Sequence, residues 1–294
     1  MRNLSIFFIF FLPFLVTGGE PIQRYVTVEL QGYLGNQLFQ VAAAYAHAKK
    51  TRAEALFPDF IQNEEWAISH FYERVFHRMN VNDLPFPPTY TYKEATYQYR
   101  PLPHNVRGLR LNGYFFSELY FKAYKKEIQT LFAPSDDILQ TLQERWGHLL
   151  ARSNVVGVHV RTYHDADPDH TLHVFVSWDY FKRAMDTFPE ETTFLVCSDR
   201  MDLCKAGLAD VSKKLIFIED NEDDVEDFYL LTLCDHHILS NSTFSWWSAY
   251  LNQNPEKIVI APDVWFPTQN KDESTLLPKK WITLPYTPSN PEDL

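Results

Sequence analysis

The chain has 294 residues, of which 45% are hydrophobic and 16% aromatic; this is enough for a large core and more than one compact domain usually contains. Its 38 acidic and 27 basic residues give a formal net charge of −11, so the surface as a whole repels polyanions and the composition argues against a nucleic-acid-binding protein. The length predicts two packed lobes, and any phosphate site must be formed by a few local residues.

The first predicted element is an apolar run at the N-terminus, from Leu4 to Val16. A membrane-spanning helix needs about 20 apolar residues, and this run is shorter and contains Pro13. A secretory signal is therefore favoured, with a short signal-anchor as the alternative. We expect residues 1–19 to direct the rest of the chain to the secretory pathway as a soluble domain.

The next predicted elements form a strand, a glycine-containing turn and a helix. Residues 25–30 alternate polar and apolar side chains, and an alanine-rich helical pattern follows the turn. From Pro58 to Pro103 the sequence is rich in proline and aromatic residues and has little periodicity, which predicts irregular structure. A strand starting at Leu109 is predicted to turn into a helix near Ser117, and residues 128–150 have helical spacing.

A second series of predicted elements follows a candidate boundary at residues 151–154, which divides the chain into an N-terminal lobe of residues 20–152 and a C-terminal lobe of residues 153–294. Five strand-like segments alternate with helical ones in this series. They are VVGVHV, TFLVCS, KLIFIE, HHILS and KIVIAP. Such alternation predicts a parallel sheet with helices on both faces.

The three cysteines, Cys197, Cys204 and Cys234, are too few and too irregularly spaced for a disulfide framework or a zinc site. One internal disulfide is the most that they could form. Buried free thiols are the favoured interpretation.

Polar residues cluster at the ends of the predicted strands, where open α/β sheets bind ligands. His159 and Arg161 lie on the same face at the end of one strand. A guanidinium there could grip a diphosphate with paired hydrogen bonds, although a structural ion pair explains a lone arginine equally well. Ser198 and Asp199 end the next strand, where Asp199 is expected to cap the following helix.

The fourth strand of this series, HHILS, leads into the segment NSTFSWWSAYLN, which begins at Asn241. Hydroxyl residues and free amides at a helix start form an anion site that suits a pyrophosphate; ordinary capping beside a tryptophan core is the alternative. Asn241 also begins a glycosylation sequon, but its position between strand and helix predicts burial and no modification. The acidic run from Glu219 to Asp227 is interpreted as a solvated helix start, and the alternative is that one or two of its carboxylates contact a ribose or a guanine edge.

Six segments occur in a characteristic order: GYLGNQLFQVAAAYA, LNGYFFSELYF, HVR, FLVCSD, CDHHILSNSTFSWWSAYLN and APDVW. In this order and register the chain resembles the α-1,2-fucosyltransferase family over residues 25–266. The segment SNSTFSWWSAYLN, together with the distant Gly-Asn loop, is the most specific part of the match.

The resemblance implies an α/β, GT-B-like fold with two Rossmann-like lobes that contain parallel sheets. It implies inverting transfer of L-fucose from GDP-fucose to a galactose-ending glycan in the Golgi lumen, without a metal ion or other cofactor. Membrane contact would be made only through an uncleaved N-terminal segment. The implied catalytic residues are Arg161, which holds the diphosphate, His159 and Asp165. The implied donor-binding residues are Ser198, Asp199, Asn241, Ser242, Thr243, Phe244 and Ser245. The first lobe would contribute Gly32, Gly35, Asn36 and Gln37.

One motif departs from the family pattern His-x-Arg-Arg-x-Asp. Thr162 replaces the second arginine, and Asp165 comes one place late. His164 or Asp165 is the candidate general base. The missing charge raises a second hypothesis, a catalytically impaired binding protein. A third is a metal-dependent transferase that uses the DxD strings at Asp165 to Asp169, although chance also explains these in an acidic chain.

Overall fold

Parallel strands form two separate sheets in the computed structural model, which describes residues 23–152, 154–163, 174–266 and 272–293. The strands are β1 (Tyr25–Val28), β2 (Glu54–Ala55), β3 (Tyr90–Lys93), β4 (Gly108–Asn112), β5 (Val155–Val160), β6 (Thr193–Ser198), β7 (Lys214–Phe217), β8 (His236–Ile238), β9 (Val259–Pro262) and β10 (Ile282–Leu284). The helices are α1 (Leu34–Thr51), α2 (Asp59–Gln62), α3 (Ile68–Phe71), α4 (Lys125–Leu131), α5 (Asp136–Leu150), α6 (Trp178–Asp186), α7 (Met201–Gly207), α8 (Asp224–Thr232) and α9 (Thr243–Leu251).

The first sheet has four strands in the order β2-β1-β4-β3, and every pairing is parallel. Its centre is the predicted strand, turn and helix, which the structure confirms as β1 followed by α1. Gly32 takes a φ of +72° in the turn, a conformation that a side chain would disfavour. The turn therefore carries the chain from the carboxyl end of β1 directly into α1.

The segment from Pro58 to Pro103 contains more regular structure than predicted. It holds α2, α3, a π-helical turn at Tyr72–Phe76 and the edge strand β3. The sequence of β3 is YTYK, and its side chains are exposed or partly buried. Because the strand has only four residues and none of them is buried, it gives too short an alternation for the sequence to predict a strand.

The connection between the sheets differs from its prediction at two points. In place of a helix near Ser117 there are two 3₁₀ turns, Glu118–Tyr120 and Lys122–Tyr124. The predicted helix at residues 128–150 is two helices, α4 and α5, with Pro134 between them. A proline disfavours the helical conformation of the residue before it, and Ser135 then caps α5 by accepting the backbone N–H of Ile138 at 3.4 Å.

The second sheet has six strands in the order β10-β9-β8-β5-β6-β7, all parallel. The predicted alternation of strands and helices is confirmed for β5 to β9. The edge strand β10 was missed because it has only three residues and none of them is buried. Since the strands run in one direction, the carboxyl ends of β5, β6 and β8 lie along one edge of the sheet.

The two sheets are joined by an aromatic core between α1 and α9. The ring of Phe39 lies 4.4 Å from that of Trp246 and 5.1 Å from that of Trp247, measured between centroids. Both tryptophans are fully buried. The alanines of α1 are buried as well, and their small side chains let the neighbouring elements approach closely. This packing places the start of α1 beside the start of α9.

A second contact joins the two parts of the chain through the acidic run, which is not simply a solvated helix start. Glu226 is 3% exposed and accepts a charged hydrogen bond from Arg145 at 2.7 Å. Asp223 caps α8 and lies 3.2 Å from Arg74. The run begins a helix as interpreted, but these carboxylates are not simply solvated, because they pair with arginines that are distant in sequence.

The three cysteines are buried and free, as predicted. Among the described residues, no helix is long and apolar enough to cross a membrane. The N-terminal apolar run lies outside those residues. The lobe boundary at residue 152 stays a prediction, although the change from one sheet to the other falls between β4 and β5.

Candidate functional site

The candidate site is the edge of the second sheet where β5, β6 and β8 end and α9 begins. Arg161 follows β5, and its guanidinium lies 3.1 Å from the carboxylate of Asp199 after β6. The backbone N–H of Arg161 donates to the hydroxyl of Ser240 at 3.3 Å, just before α9. The structure therefore brings together three strand ends that are separate in sequence.

Asp199 binds the loop after β5 and does not cap a helix. It accepts the backbone N–H of Thr162 at 2.8 Å and the Thr162 hydroxyl at 3.0 Å, besides pairing with Arg161. The residue at the N-cap of α7 is Arg200, whose N–H donates to Ser198 at 3.1 Å. The predicted cap was wrong because the carboxylate is drawn to the guanidinium and two donors across the strand ends.

The side chain of Arg161 is 42% exposed, so its guanidinium can reach both Asp199 and a ligand. The ring of Tyr163 lies beneath it, 5.4 Å from its central carbon. The side chain of Thr162, by contrast, is buried and directed to Asp199. Thr162 therefore positions Asp199, and its side chain does not face the ligand side of the site.

His159 is buried inside the same edge. Its Nδ1 lies 3.2 Å from the hydroxyl of Ser240, and its ring stacks on Phe244 at 4.8 Å. Burial lowers the pKa of His159 to about 3, an effect that Asp199 only partly offsets. The imidazole therefore favours its neutral form. Its contacts position Phe244 and Ser240.

The first turn of α9 keeps its amides free of side-chain capping. Ser242 is the N-cap residue, but its side chain makes no capping hydrogen bond. The hydroxyl of Ser245 donates to the carbonyls of Ser240 and Ser242, and that of Thr243 donates to Asn36 at 2.9 Å. Uncapped N–H groups at a helix start attract an anion.

The predicted residues of the first lobe lie against this helix start. A Cβ atom added to Gly35 would fall 2.5 Å from the backbone of Thr243 and Phe244, so only glycine permits this approach. Gln37 is fully buried and donates to the carbonyls of Gly32 at 2.8 Å and Trp66 at 3.1 Å. These bonds hold the loop after β1 in place.

Asn241 is fully buried, as its position predicted. Its side-chain amide donates to the carbonyls of Val174 and Trp265, each at 3.2 Å. The backbone carbonyl of Asn241 accepts the hydroxyl of Tyr163 at 2.8 Å. The side chain and backbone of Asn241 together therefore connect three segments around the site.

Asp227 is the residue of the acidic run that comes close to the candidate site. It accepts the thiol of Cys197 at 3.3 Å and the side-chain amide of Asn221 at 2.7 Å. Burial raises its pKa. Because Cys197 directly precedes Ser198, this carboxylate lies behind the end of β6.

An exposed aromatic pair beside the site was missed at the sequence level. Tyr33 and Trp66 are 65% and 45% exposed, and their rings meet edge to face at 5.8 Å. Trp66 has a φ of +57°, and Gln37 holds its carbonyl. The detectable signal was Tyr33 within the Gly-Asn turn; Trp66 stands in sequence with little periodicity.

No group of three His, Cys, Asp or Glu side chains suited to a metal ion occurs in the parts of the chain that the structure describes. His164, Asp165 and the DxD strings lie outside those parts. The candidate general bases, His164 and Asp165, are therefore supported by the sequence alone.

Comparison of the chain with family profiles assigns it to a family. The profile of glycosyl transferase family 11 matches residues 18–285. The chain belongs to glycosyl transferase family 11. It is 28% identical to galactoside alpha-(1,2)-fucosyltransferase 2 of Oryctolagus cuniculus, over 91% of this chain and 79% of the relative. It is 24% identical to an alpha-1,2-colitosyltransferase of Escherichia coli, over 88% of this chain and 98% of the relative.

Solved structures confirm the fold of this family 11 enzyme. A point mutant of Arabidopsis thaliana FUT1 in complex with GDP matches with a TM-score of 0.53 and 15% identity, over 84% of this chain and 72% of that one. The NodZ alpha-1,6-fucosyltransferase soaked with GDP-fucose matches with a TM-score of 0.52 and 14% identity, over 84% and 98%. The predicted GT-B-like fold and the α-1,2-fucosyltransferase resemblance are both confirmed, and the chain is a glycosyltransferase.

Proposed function

We propose that this enzyme transfers L-fucose from GDP-fucose to a hydroxyl of a galactose-ending glycan, in an α-1,2 linkage with inversion and without a metal ion or other cofactor. The observation that carries the proposal is the meeting of Arg161 with the uncapped start of α9 through Ser240. The names of the mammalian relatives support the acceptor and the linkage.

The proposed chemistry uses these groups to stabilise the leaving diphosphate. As the bond between fucose C1 and the diphosphate oxygen breaks, the sugar gains oxocarbenium character and negative charge collects on GDP. A guanidinium and the positive end of a helix stabilise that charge when they are fixed in advance. Asp199 orients Arg161 from behind. The acceptor hydroxyl attacks from the opposite face of the sugar, which inverts C1.

The acceptor proton must pass to a general base. His159 is not the proposed base, because its imidazole is buried, contacts the Ser240 hydroxyl and stacks on Phe244, and burial lowers its pKa. We keep Asp165, or its neighbour His164, as the proposed base. Either residue follows the loop that carries Arg161 and could act on an acceptor that faces the donor.

The acceptor is proposed to lie between the N-terminal lobe, residues 20–152, and the donor held by the C-terminal lobe, residues 153–294. Tyr33 and Trp66 offer exposed rings beside the start of α9. The apolar C–H face of a pyranose stacks on such rings, whereas its hydroxyls stay in water. This aromatic pair is therefore the proposed acceptor platform.

The proposed location is the lumen of the secretory pathway, in the Golgi apparatus. It depends on the apolar run from Leu4 to Val16, which acts as a cleaved signal or a short signal-anchor. Nucleic acid is not a partner in this proposal, because the net charge of −11 repels it.

Thr162 supports a second candidate function, a homologue that binds the donor but turns it over poorly. Its buried hydroxyl supplies no charge to a diphosphate, whereas the family motif has an arginine at this place. Donor binding without any transfer to galactose-ending acceptors would favour this candidate.

Isothermal titration of the purified protein with GDP and GDP-fucose, in the presence of a chelator, tests the proposed function. The parent should bind both, and Arg161→Ala should weaken GDP binding by about a hundredfold, as expected for a charged pair with a diphosphate. The matched control is Arg183→Ala, because Arg183 pairs with Asp179 on the surface of α6. Binding that needs a metal ion, or that survives in Arg161→Ala, would contradict the proposal.

A further inference from the structure

A cavity of about 720 Å³ lies at the opposite edge of the second sheet from the candidate active site. It is lined by the end of α9, by the start of β9 and by the residues before β10, with α4 and the preceding turns of the first lobe as its other wall. The nine residues of α9 separate it from the active-site cleft by about 14 Å. A cavity of this size accommodates a small organic ligand.

The cavity is strongly basic although the whole chain is acidic. Five lysines line it, with one carboxylate, Glu118, among the lining residues. The lysines are Lys122, Lys125, Lys257, Lys279 and Lys280. The chain as a whole has 38 acidic and 27 basic residues, so this concentration of one sign is not a consequence of composition. Like charges gathered around a concave surface favour an anion within it.

Two of these lysines are partly buried at an energetic cost. Burial, together with the nearby charge of Lys125, lowers the pKa of Lys257 to about 7. Burial also lowers the pKa of Lys125, whereas Glu118 raises it and Lys280 lowers it. An anion in the cavity would relieve this repulsion and favour the charged form of both lysines.

A buried hydroxyl in the wall also lacks a partner. Tyr250 is 2% exposed, and its hydroxyl has no hydrogen-bond partner among the described residues. The ammonium group of Lys125 lies 4.6 Å from the centre of the Tyr250 ring. Trp281 provides a second aromatic wall. The ammonium group therefore packs on the ring, and the unsatisfied hydroxyl in the wall of this basic cavity is a donor that an oxyanion would complete.

We propose that this cavity is a second ligand site, which binds a small molecule carrying at least two phosphate or sulfate groups. Lys125 and Lys257 bind one anionic group together with the hydroxyl of Tyr250, and Lys279 and Lys280 bind another. The volume is larger than a single phosphate ion needs, so the ligand has a sugar-sized body that packs on Trp281. The site joins residues of both lobes and is separate from the donor site.

The test is isothermal titration of the full chain carrying Arg161→Ala, so that anion binding in the active-site cleft does not contribute. The probes are inorganic pyrophosphate and sucrose octasulfate. We expect binding with a stoichiometry of one, which Lys125→Gln and Lys257→Gln each weaken by about tenfold. The matched control is Lys126→Gln, because Lys126 is the next residue of α4, is exposed and does not line the cavity.

Tyr250→Phe provides a second variant that removes one oxygen and leaves the ring in place. It should weaken binding severalfold without changing the thermal unfolding temperature. Binding of both probes would assign the site to phosphate groups in general, and binding of sucrose octasulfate alone would assign it to sulfated saccharides. The proposal fails if neither probe binds, or if Lys126→Gln weakens binding as much as Lys125→Gln does.

Discussion

Arg161 and Asp199 form an ion pair of 3.1 Å across the ends of two adjacent strands. Asp199 also accepts a hydrogen bond from Thr162, which lies 37 residues earlier in the chain. The pair leaves the guanidinium partly exposed, so the carboxylate can orient it without withdrawing it from a ligand. Exposed ion pairs add little to stability. The pair therefore matters chiefly for the direction in which Arg161 points.

We expect Asp199→Asn to weaken GDP binding by about tenfold, because Arg161 loses the charge that orients it. The asparagine oxygen can still accept the N–H of Thr162, so the thermal unfolding temperature should change little. Isothermal titration measures the first effect, and calorimetry the second. Asp202→Asn is the control, because Asp202 pairs with Arg200 on the surface and its loss should leave GDP binding unchanged.

Thr162→Arg restores the arginine that the family motif has at this position. The new guanidinium would add a positive charge beside the diphosphate while Asp199 still orients Arg161, so GDP should bind severalfold more tightly. Position 162 is 1% exposed, and enlarging a buried side chain costs about 1–3 kcal/mol of folding free energy. Titration with GDP and urea unfolding separate these opposite effects. Thr162→Val should not tighten GDP binding, since it adds no positive charge and only removes the hydroxyl. Weaker GDP binding in Thr162→Arg would contradict this account.

Gly35→Ala should loosen the contact between α1 and α9. The added methyl group would lie 2.5 Å from the backbone of Thr243 and Phe244, which cannot move aside as a flexible side chain can. We expect a loss of about 1–3 kcal/mol in the free energy of unfolding and weaker GDP binding. Gly147→Ala in α5 is the control: its methyl group meets the end of the Gln143 side chain, so the helix should be stabilised by about 0.5–1 kcal/mol.

The order of strands and helices could be predicted because periodicity is a local signal. The clustering of Arg161, Asp199 and the start of α9 at one edge could be predicted as well, since parallel strands end together. The hydrogen-bond and ion-pair partners of these residues could not be predicted. Asp199 looked like a helix cap because a sequence shows only its neighbours along the chain, and the structure pairs it with Arg161.

The same reason explains the misinterpreted acidic run. Glu226 is buried against Arg145, which lies 81 residues earlier, and no periodicity links the two. The segment from Pro58 to Pro103 likewise contains a four-residue edge strand with no buried side chain. Local patterns therefore indicated the elements, whereas long-range ion pairs and edge strands required the three-dimensional structure.

Trp66→Ala should impair acceptor use and spare donor binding. Trp66 is 45% exposed beside Tyr33, so its loss removes a stacking surface without opening the core. We expect the KM for a galactose-ending acceptor to rise by about tenfold, with GDP binding unchanged. Transfer kinetics and titration give the two readouts. Trp66→Phe should retain much of the activity, and an unchanged KM in Trp66→Ala would remove the aromatic pair from the acceptor site.

The stability of the protein should fall as the pH drops below about 6.5, partly because of His237. Burial, together with the charges of Lys257 and His236, lowers the pKa of His237 from 6.5 to about 3. Between these two pH values the unfolded chain binds a proton at this residue and the folded chain does not, so acid favours unfolding. From pH 6.5 to 5.0 this amounts to about 2 kcal/mol.

The matching experiment is urea unfolding of the parent and His237→Leu at pH 7.5 and pH 5.0. The leucine is of similar size and cannot titrate, so the variant should lose about 2 kcal/mol less than the parent between these pH values. His159 is also buried and neutral, so some acid sensitivity should persist. His148→Gln, at an exposed position of α5, should retain the parental pH dependence. Equal losses in the parent and in His237→Leu would contradict this account, because the folded protein would then bind a proton at His237 as readily as the unfolded chain does.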